Sequence, residues 1–145
     1  MSQEATITRV FDAPRETLWR YFTEPELFAE WFGHEPYETT AEMDVREGGR
    51  WSAKMVSKED GSELPFRGQF LEIVEHERVV QTFEDVENPD NKLTETLTTT
   101  LEDAGDGKTR VTYHQVGHMP EEQYRAIEQG VNGFWDRLEE HLARQ

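Results

Sequence analysis

The sequence predicts an α+β fold in which a curved antiparallel sheet wraps a long C-terminal helix around apolar space, in the order β-α-α-β(six)-α. Three observations predict it. The stretch from Pro36 to Val116 alternates with period two and turns back on itself through short connections. From Pro120 onward the apolar residues switch to helical spacing. Two short helical patterns separate an opening strand from the rest. One arrangement buries all these faces: the sheet wraps the stripe of the last helix and the short helices plug one end.

In chain order, Thr6-Ile7-Thr8-Arg9-Val10-Phe11 is β-branched and places Ile7 and Phe11 at even spacing, which predicts a strand. Asp12-Ala13-Pro14 supplies a capping residue and then a proline suited to a first helical turn, and Leu18, Trp19 and Phe22 follow at helical spacing. Thr23-Glu24-Pro25-Glu26 has the form of a capping box. It predicts a second helix carrying Leu27, Phe28, Trp31 and Phe32 and stopped by Gly33. Glu47-Gly48-Gly49 marks a turn before a strand over 50–56, with Trp51, Ala53 and Met55 on one face. Glu59-Asp60-Gly61-Ser62 predicts a hairpin turn. Strands over 66–74 and 78–83 flank a turn at Glu75-His76-Glu77. Another turn at 88–91 leads into a strand over 93–101, where Leu93, Glu95, Leu97, Thr99 and Leu101 face one way. The connection Asp103-Ala104-Gly105-Asp106-Gly107 leads to the last strand, 109–116.

Pro120 opens the final helix, with Glu121 and Glu122 beside the positive end of its dipole. Tyr124, Ile127, Val131, Phe134, Trp135, Leu138 and Leu142 share one apolar stripe, and the opposite face is charged. Gly130 and Gly133 each cost about 1 kcal/mol relative to alanine. They predict close backbone packing or a soft point at mid-helix.

The 145 residues contain no repeat, low-complexity tract or linker, so one domain over 1–145 is expected. Apolar residues make up only 34% but aromatics 11%, so large rings must supply much of the buried area. The absence of cysteine excludes disulfides, thiolate metal sites and a cysteine nucleophile. No apolar run approaches the ~18 residues of a membrane span. The stretch from Met1 to Val10 lacks a signal-peptide core, and a cytoplasmic location is expected. A formal charge of −16 argues against nucleic acid as a partner. Lysine is scarce (Lys54, Lys58, Lys92 and Lys108), and such an acidic surface is the kind expected of a salt-tolerant protein.

Strand parity supplies a candidate site. If Leu97, Thr99 and Leu101 face inward, Glu95 does too; Trp51 and Met55 point in from one strand, Gln81 and Phe83 from another, and Val111, Tyr113 and Gln115 from the last. The helix adds Tyr124, Ile127, Val131 and Phe134. An apolar pocket with a few polar groups is the usual form of a small-molecule site, with Glu95, Gln81, Gln115 and Tyr113 as polar anchors. The bland alternative is that these groups satisfy one another structurally. A carboxyl in an apolar pocket could also serve as a general acid or base, although Glu95 has no evident partner for that work.

Other constellations carry less. His34, His76, His114, His118 and His141 include no helical metal-binding pair, and no acidic residues repeat at ligand spacing, so neither a metal nor a cofactor is expected. His76 and His141 are read as solvated. No Gly-x-Ser-x-Gly elbow occurs. Gly48-Gly49 precedes a strand rather than a helix, so it is a turn and not a phosphate loop. Trp19, Trp31, Trp51 and Trp135 are read as core, and Glu84-Asp85-Val86-Glu87 as a solvated loop.

Several motifs carry a family resemblance. Arg9-x-Phe11-x-Ala13-Pro14-x-Glu16-x-x-Trp19 is followed by Thr23-x-Pro25-Glu26-x-x-x-x-Trp31 and by Asp44-Val45-Arg46-x-Gly48-Gly49-Arg50. Gly68-x-Phe70-Leu71-Glu72-Ile73, Glu77-Arg78-Val79-Val80-x-Thr82, Gly107-x-Thr109-Arg110-Val111-Thr112 and Gly133-Phe134 with Leu138 continue the series. Together they resemble the heat-shock-protein-90 ATPase activator homologue (Aha-type) family of the START-like (SRPBCC) superfamily, which also holds the birch-pollen-allergen proteins and polyketide cyclases. The resemblance implies a helix-grip, Bet v allergen-like fold. Two positions depart from the family's habit: Gln115 stands where a histidine is common, and Phe134 where tryptophan is. Both should border the cavity, so ligand preference does not transfer.

Three functions follow as expectations. The first is binding of a small hydrophobic or amphipathic molecule in the cavity. The second is a chaperone-associated interaction domain without a ligand, whose partner the family name implies. The third is a cyclase- or dehydratase-like enzyme. Apolar residues exposed along the first helices would serve a homodimer; a monomer is the alternative.

Overall fold

The computed structural model describes residues 4–32, 37–84, 94–117 and 120–144. In chain order these form β1 (Glu4–Phe11), α1 (Arg15–Thr23), α2 (Pro25–Trp31), β2 (Tyr37–Met43), β3 (Arg50–Ser57), β4 (Glu63–Val74), β5 (Arg78–Glu84), β6 (Thr94–Gly105), β7 (Lys108–Val116) and α3 (Glu121–Ala143). The order of elements is the one expected.

One antiparallel sheet runs β1-β7-β6-β5-β4-β3-β2. From β2 to β7 each strand pairs with its neighbour in sequence, which is what short reversals allow. The helices cut β1 off from this meander, and it closes the far edge against β7, from Glu4 opposite Val116 to Phe11 opposite Thr109. The sheet curls into a half-barrel around α3, the helix-grip arrangement. Register shifts in β4 between Phe70 and Glu72, and in β6 between Asp103 and Gly105, add local twist that helps the curl. Gly68 serves the same bend. A Cβ there would lie 1.8 Å from the Thr82 carbonyl oxygen, the atom that accepts the Trp51 indole N–H at 2.8 Å.

The core lies at the C-terminal half of α3. Trp135 and Leu138 are almost fully enclosed, and the Trp135 ring meets Phe11 edge-on at 5.4 Å. Arg9 braces this contact from β1. Its Nη1 is 2.9 Å from Asp136 and 3.3 Å from Glu139, and its guanidinium carbon is 5.9 Å from the Trp135 ring centre. The hairpin of α1 and α2 is pinned by the Trp31 indole N–H donating to the Tyr21 carbonyl at 2.8 Å. Thr109, fully buried, donates its hydroxyl to the Ala13 carbonyl at 2.8 Å and holds the start of this hairpin against β7.

The structure corrects several expectations. No capping box forms: α2 is capped by Glu24 without a side-chain bond, while the Thr23 hydroxyl donates back to the Trp19 carbonyl at 2.7 Å. Pro14 is itself the residue before α1, so Asp12 does not cap it. β4 begins at Glu63 rather than Phe66. β6 runs on to Gly105, because the residues read as a loop pair with β7 across a bulge and leave only Asp106 and Gly107 in the reversal. His76 and His141 are not simply solvated: His76 meets Trp19 edge-on at 6.0 Å, and His141 Nδ1 lies 3.1 Å from Glu30. The large apolar side chains of α1 and α2 are buried or half-buried against the core, so they offer no exposed patch for a dimer. Gly33, the turn at 88–91, Leu93, His34 and His118 lie outside the described residues.

Close packing does not explain the helix glycines. A Cβ at Gly130 or Gly133 would meet nothing within 4 Å. Gly133→Ala should therefore raise stability by about 1 kcal/mol through helix propensity alone. Urea unfolding checks it; a loss of stability would show that the glycine serves a contact after all.

Candidate functional site

A cavity of about 450 Å³ lies between α3 and the concave face of the sheet. Trp51 and Met55 of β3, Leu64, Pro65 and Phe66 of β4, Phe83 of β5 and Leu97 of β6 form its floor, and Phe32, beyond the end of α2, joins them. The roof is α3 from Gln123 to Phe134, and Tyr113 and Gln115 of β7 supply the polar part of the wall. Gln123, Ala126, Gly130 and Leu64 are exposed as well as lining, so the mouth opens between the front of α3 and the start of β4. Two wider hollows lie on outer surfaces, one of them bordered by Glu42, Asp44, Arg50, Arg67 and Glu84. Their borders are mostly charged and polar, unlike the apolar lining under α3.

The polar groups form one directed network. Glu95, only 4% exposed, accepts from the Tyr124 hydroxyl at 2.7 Å and from the Gln115 Nε2 at 3.0 Å, both at its Oε1. The Gln115 Oε1 in turn accepts the Tyr113 hydroxyl at 2.6 Å. Among the described residues no buried side-chain nitrogen or oxygen lacks a partner, as the cost of burying polar groups requires. The other face of the carboxylate rests on Gly117, where a Cβ would lie 1.6 Å from Oε2. The glycine after β7 is thus the space that admits the carboxylate. Tyr113 is half-buried because it borders the cavity. Even so, burial, reinforced by the Glu95 carboxylate, pushes its phenol well above the ordinary tyrosine range.

Of the residues that strand parity and the helix stripe nominated, Trp51, Met55, Phe83, Leu97, Tyr113, Gln115, Ile127, Val131 and Phe134 line this space, while Thr99, Leu101 and Val111 face inward outside it. Glu95 and Tyr124 do not; they sit behind Gln115 as its support. Gln81 stays on the concave face between Phe70 and Leu97 but outside the lining. Sequence reasoning missed Phe32, Leu64, Pro65 and Phe66, and Gln123, Ala126 and Gly130 on the helix. Leu64 and Phe66 sit opposite Met55 and Ala53: parity with Phe70 places Phe66 on the inner face of the strand already expected, and Leu64 would have followed had β4 been started three residues earlier. No cluster of three potential metal ligands occurs among the described residues, and no helix of theirs is long and apolar enough to cross a membrane.

A family model described as activator of Hsp90 ATPase homolog 1-like protein matches residues 12–143. Among solved structures, a protein from Nitrosomonas europaea is 27% identical with a TM-score of 0.81, over 98% of this chain and 95% of its own. One from Chromobacterium violaceum is 26% identical with a TM-score of 0.79, over 96% and 99%. A protein from Arthrobacter aurescens, at 22% identity and a TM-score of 0.83, covers 99% of this chain and 88% of its own and shares the fold. Comparison with curated protein sequences returns no match.

Two measurements probe the network. Gly117→Ala should cost about 2 kcal/mol or more, because the new methyl must displace a buried carboxylate. An unchanged denaturation midpoint would mean that Glu95 has somewhere else to go. Tyr113 holds its proton more tightly in the fold than in the unfolded chain. Its contribution is therefore complete below about pH 10, the unfolded value, and is lost as pH rises toward the folded one. Tyr113→Phe should make the alkaline decline in stability shallower; equal declines in the two proteins would show that burial does not penalise the phenolate.

Proposed function

The chain belongs to the family of activator of Hsp90 ATPase homolog 1-like proteins, and from that premise we propose that it binds a small hydrophobic or amphipathic molecule in the cavity under α3. The observation that carries this reading is the cavity's size and character: about 450 Å³, mostly apolar, open at one end and polar along one wall. Both size and composition fall in the range of small-molecule sites. Magnitude supports the same view. A dry, sealed void of that volume would cost on the order of 10 kcal/mol, as much as the whole net stability of a typical domain. Such space is tolerated when water or a guest can enter, and the mouth beside Gln123 and Gly130 provides the route.

The lining favours binding over proton-transfer chemistry. Tyr113 is its one titratable group among the described residues, and that hydroxyl already donates to Gln115 and resists ionisation. The chaperone reading draws on the family's name and would need an apolar outer patch. The large apolar side chains exposed among the described residues, Val10, Leu64, Leu71 and Val116, are spread over three strands.

Ile127→Trp fills the cavity from its roof and tests the proposal directly. Nile red should bind the wild-type protein with increased fluorescence, and the variant about tenfold more weakly or less, with an unchanged circular dichroism spectrum. Native mass spectrometry of freshly purified protein should show a retained small molecule in the wild type alone. Equal dye affinity in the two proteins would place the binding elsewhere.

A further inference from the structure

We propose that this cavity selects amphiphiles whose head is neutral or cationic and donates a hydrogen bond, such as a long-chain alcohol or amine, and that it discriminates against fatty carboxylates. The proposal rests on the cavity reading above and adds to it the chemical class of the guest.

The direction of the polar network is the first argument. A carboxylate only accepts hydrogen bonds, so the amide of Gln115 must turn its nitrogen toward Glu95 and its oxygen toward Tyr113. That orientation commits the single Tyr113 proton inward at 2.6 Å. What Tyr113 still offers is oxygen lone pairs, and among the described residues no donor reaches them. Glu95 thus acts at one remove, as a positioning residue: it makes the polar wall an acceptor, which a ligand hydroxyl or ammonium would satisfy.

Charge is the second argument. Among the described residues the lining includes no lysine, arginine or histidine. An anion entering it would lose its hydration without gaining a counter-ion. Glu95, just behind Gln115, fixes the network so that the wall presents an acceptor, and a second carboxylate placed there would meet lone pairs rather than donors. The partial positive charge at the start of α3 could favour an anion at the mouth, but Glu121 and Glu122 in the first turn oppose it. The amides of Gln115 and Gln123 can donate to a ligand carbonyl, but neither supplies charge.

Displacement of Nile red by decanol, decylamine and decanoate, equal in chain length and used below aggregation, tests the proposal at neutral pH. Decanol and decylamine should compete, and decanoate should need about tenfold or more the concentration. The Ile127→Trp protein, with its cavity blocked, measures how much decylamine is merely attracted to the acidic surface. Tyr113→Phe should weaken decanol and leave decanoate unchanged. Glu95→Gln should narrow the gap between decylamine and decanoate; if that variant does not fold, the wild-type ratio and Tyr113→Phe decide the matter. Decanoate binding as tightly as decanol would overturn the selectivity and leave the cavity reading standing. If Nile red and all three amphiphiles fail to bind, the cavity reading falls, and the selectivity with it.

Discussion

The fold depends on how α3 is held, because the helix is supported at its two ends and bridges open space between them. At the rear, Trp135 and Leu138 are driven into the core, and Arg9 clasps Asp136 and Glu139 across the Trp135 ring. At the front, Tyr124 is buried and bonded to Glu95, and Glu128 accepts the Thr6 backbone N–H at 3.1 Å on the edge strand β1. From Tyr124 to Trp135 the helix rises about 16 Å. Over that distance Ile127, Val131 and Phe134 are only half-buried, because they look into the cavity and not into close-packed sheet. The stability of the rear anchor is mostly hydrophobic. The front anchor is mostly polar, so it is the end whose loosening would widen the mouth.

That division explains why a glutamate stands at the start of a largely apolar strand face. Leu97, Thr99 and Leu101 follow Glu95 inward, and an apolar residue at 95 would avoid the cost of burying a charge. It would also leave the Tyr124 hydroxyl and the Gln115 amide without their acceptor, at about 1–3 kcal/mol each. The carboxylate, the two tyrosines, the glutamine and the missing side chain of Gly117 make sense only together. A network of this kind fixes side-chain orientation at the polar end of the cavity while the apolar remainder stays indifferent to the guest's shape.

Much of this was legible in the residues, because period-two alternation assigns faces and the α3 stripe assigns the helix side. Trp51, Met55, Leu97 and Val131 reach the cavity on those grounds alone. Depth was not legible. Parity puts Gln81 and Gln115 on the same concave face, but only the curl of the sheet decides that Gln115 borders the space and Gln81 does not. Nor does a pattern of apolar residues show where a helix stands away from its sheet. In the sequence Gly130 reads as either a close-contact glycine or a soft point of the helix; in the fold it makes no close contact and rims an opening. Tyr124 looked like lining and is a strut. Phe32 escaped for another reason: it follows the last turn of α2, where helical periodicity no longer says which way a side chain points.

For the proposed guest two features matter, the acidic surface and the buried Glu95 network, and they differ in reach. The surface excess behind the net charge of −16 is spread over hydrated side chains and screened beyond about 8 Å at physiological salt. Its ion pairs, such as Arg20 with Glu24 and Arg125 with Glu121, are exposed and individually worth little. This field influences how often charged molecules arrive. Glu95 is enclosed, so salt screens its interactions far less, and it bears on the polar end of the cavity through the direction it imposes on Gln115 and Tyr113. On the selectivity proposed above, discrimination among guests rests on the network behind Gln115 rather than on the acidic shell, and the two contributions separate with ionic strength: that of the shell fades as salt is added, that of the network persists.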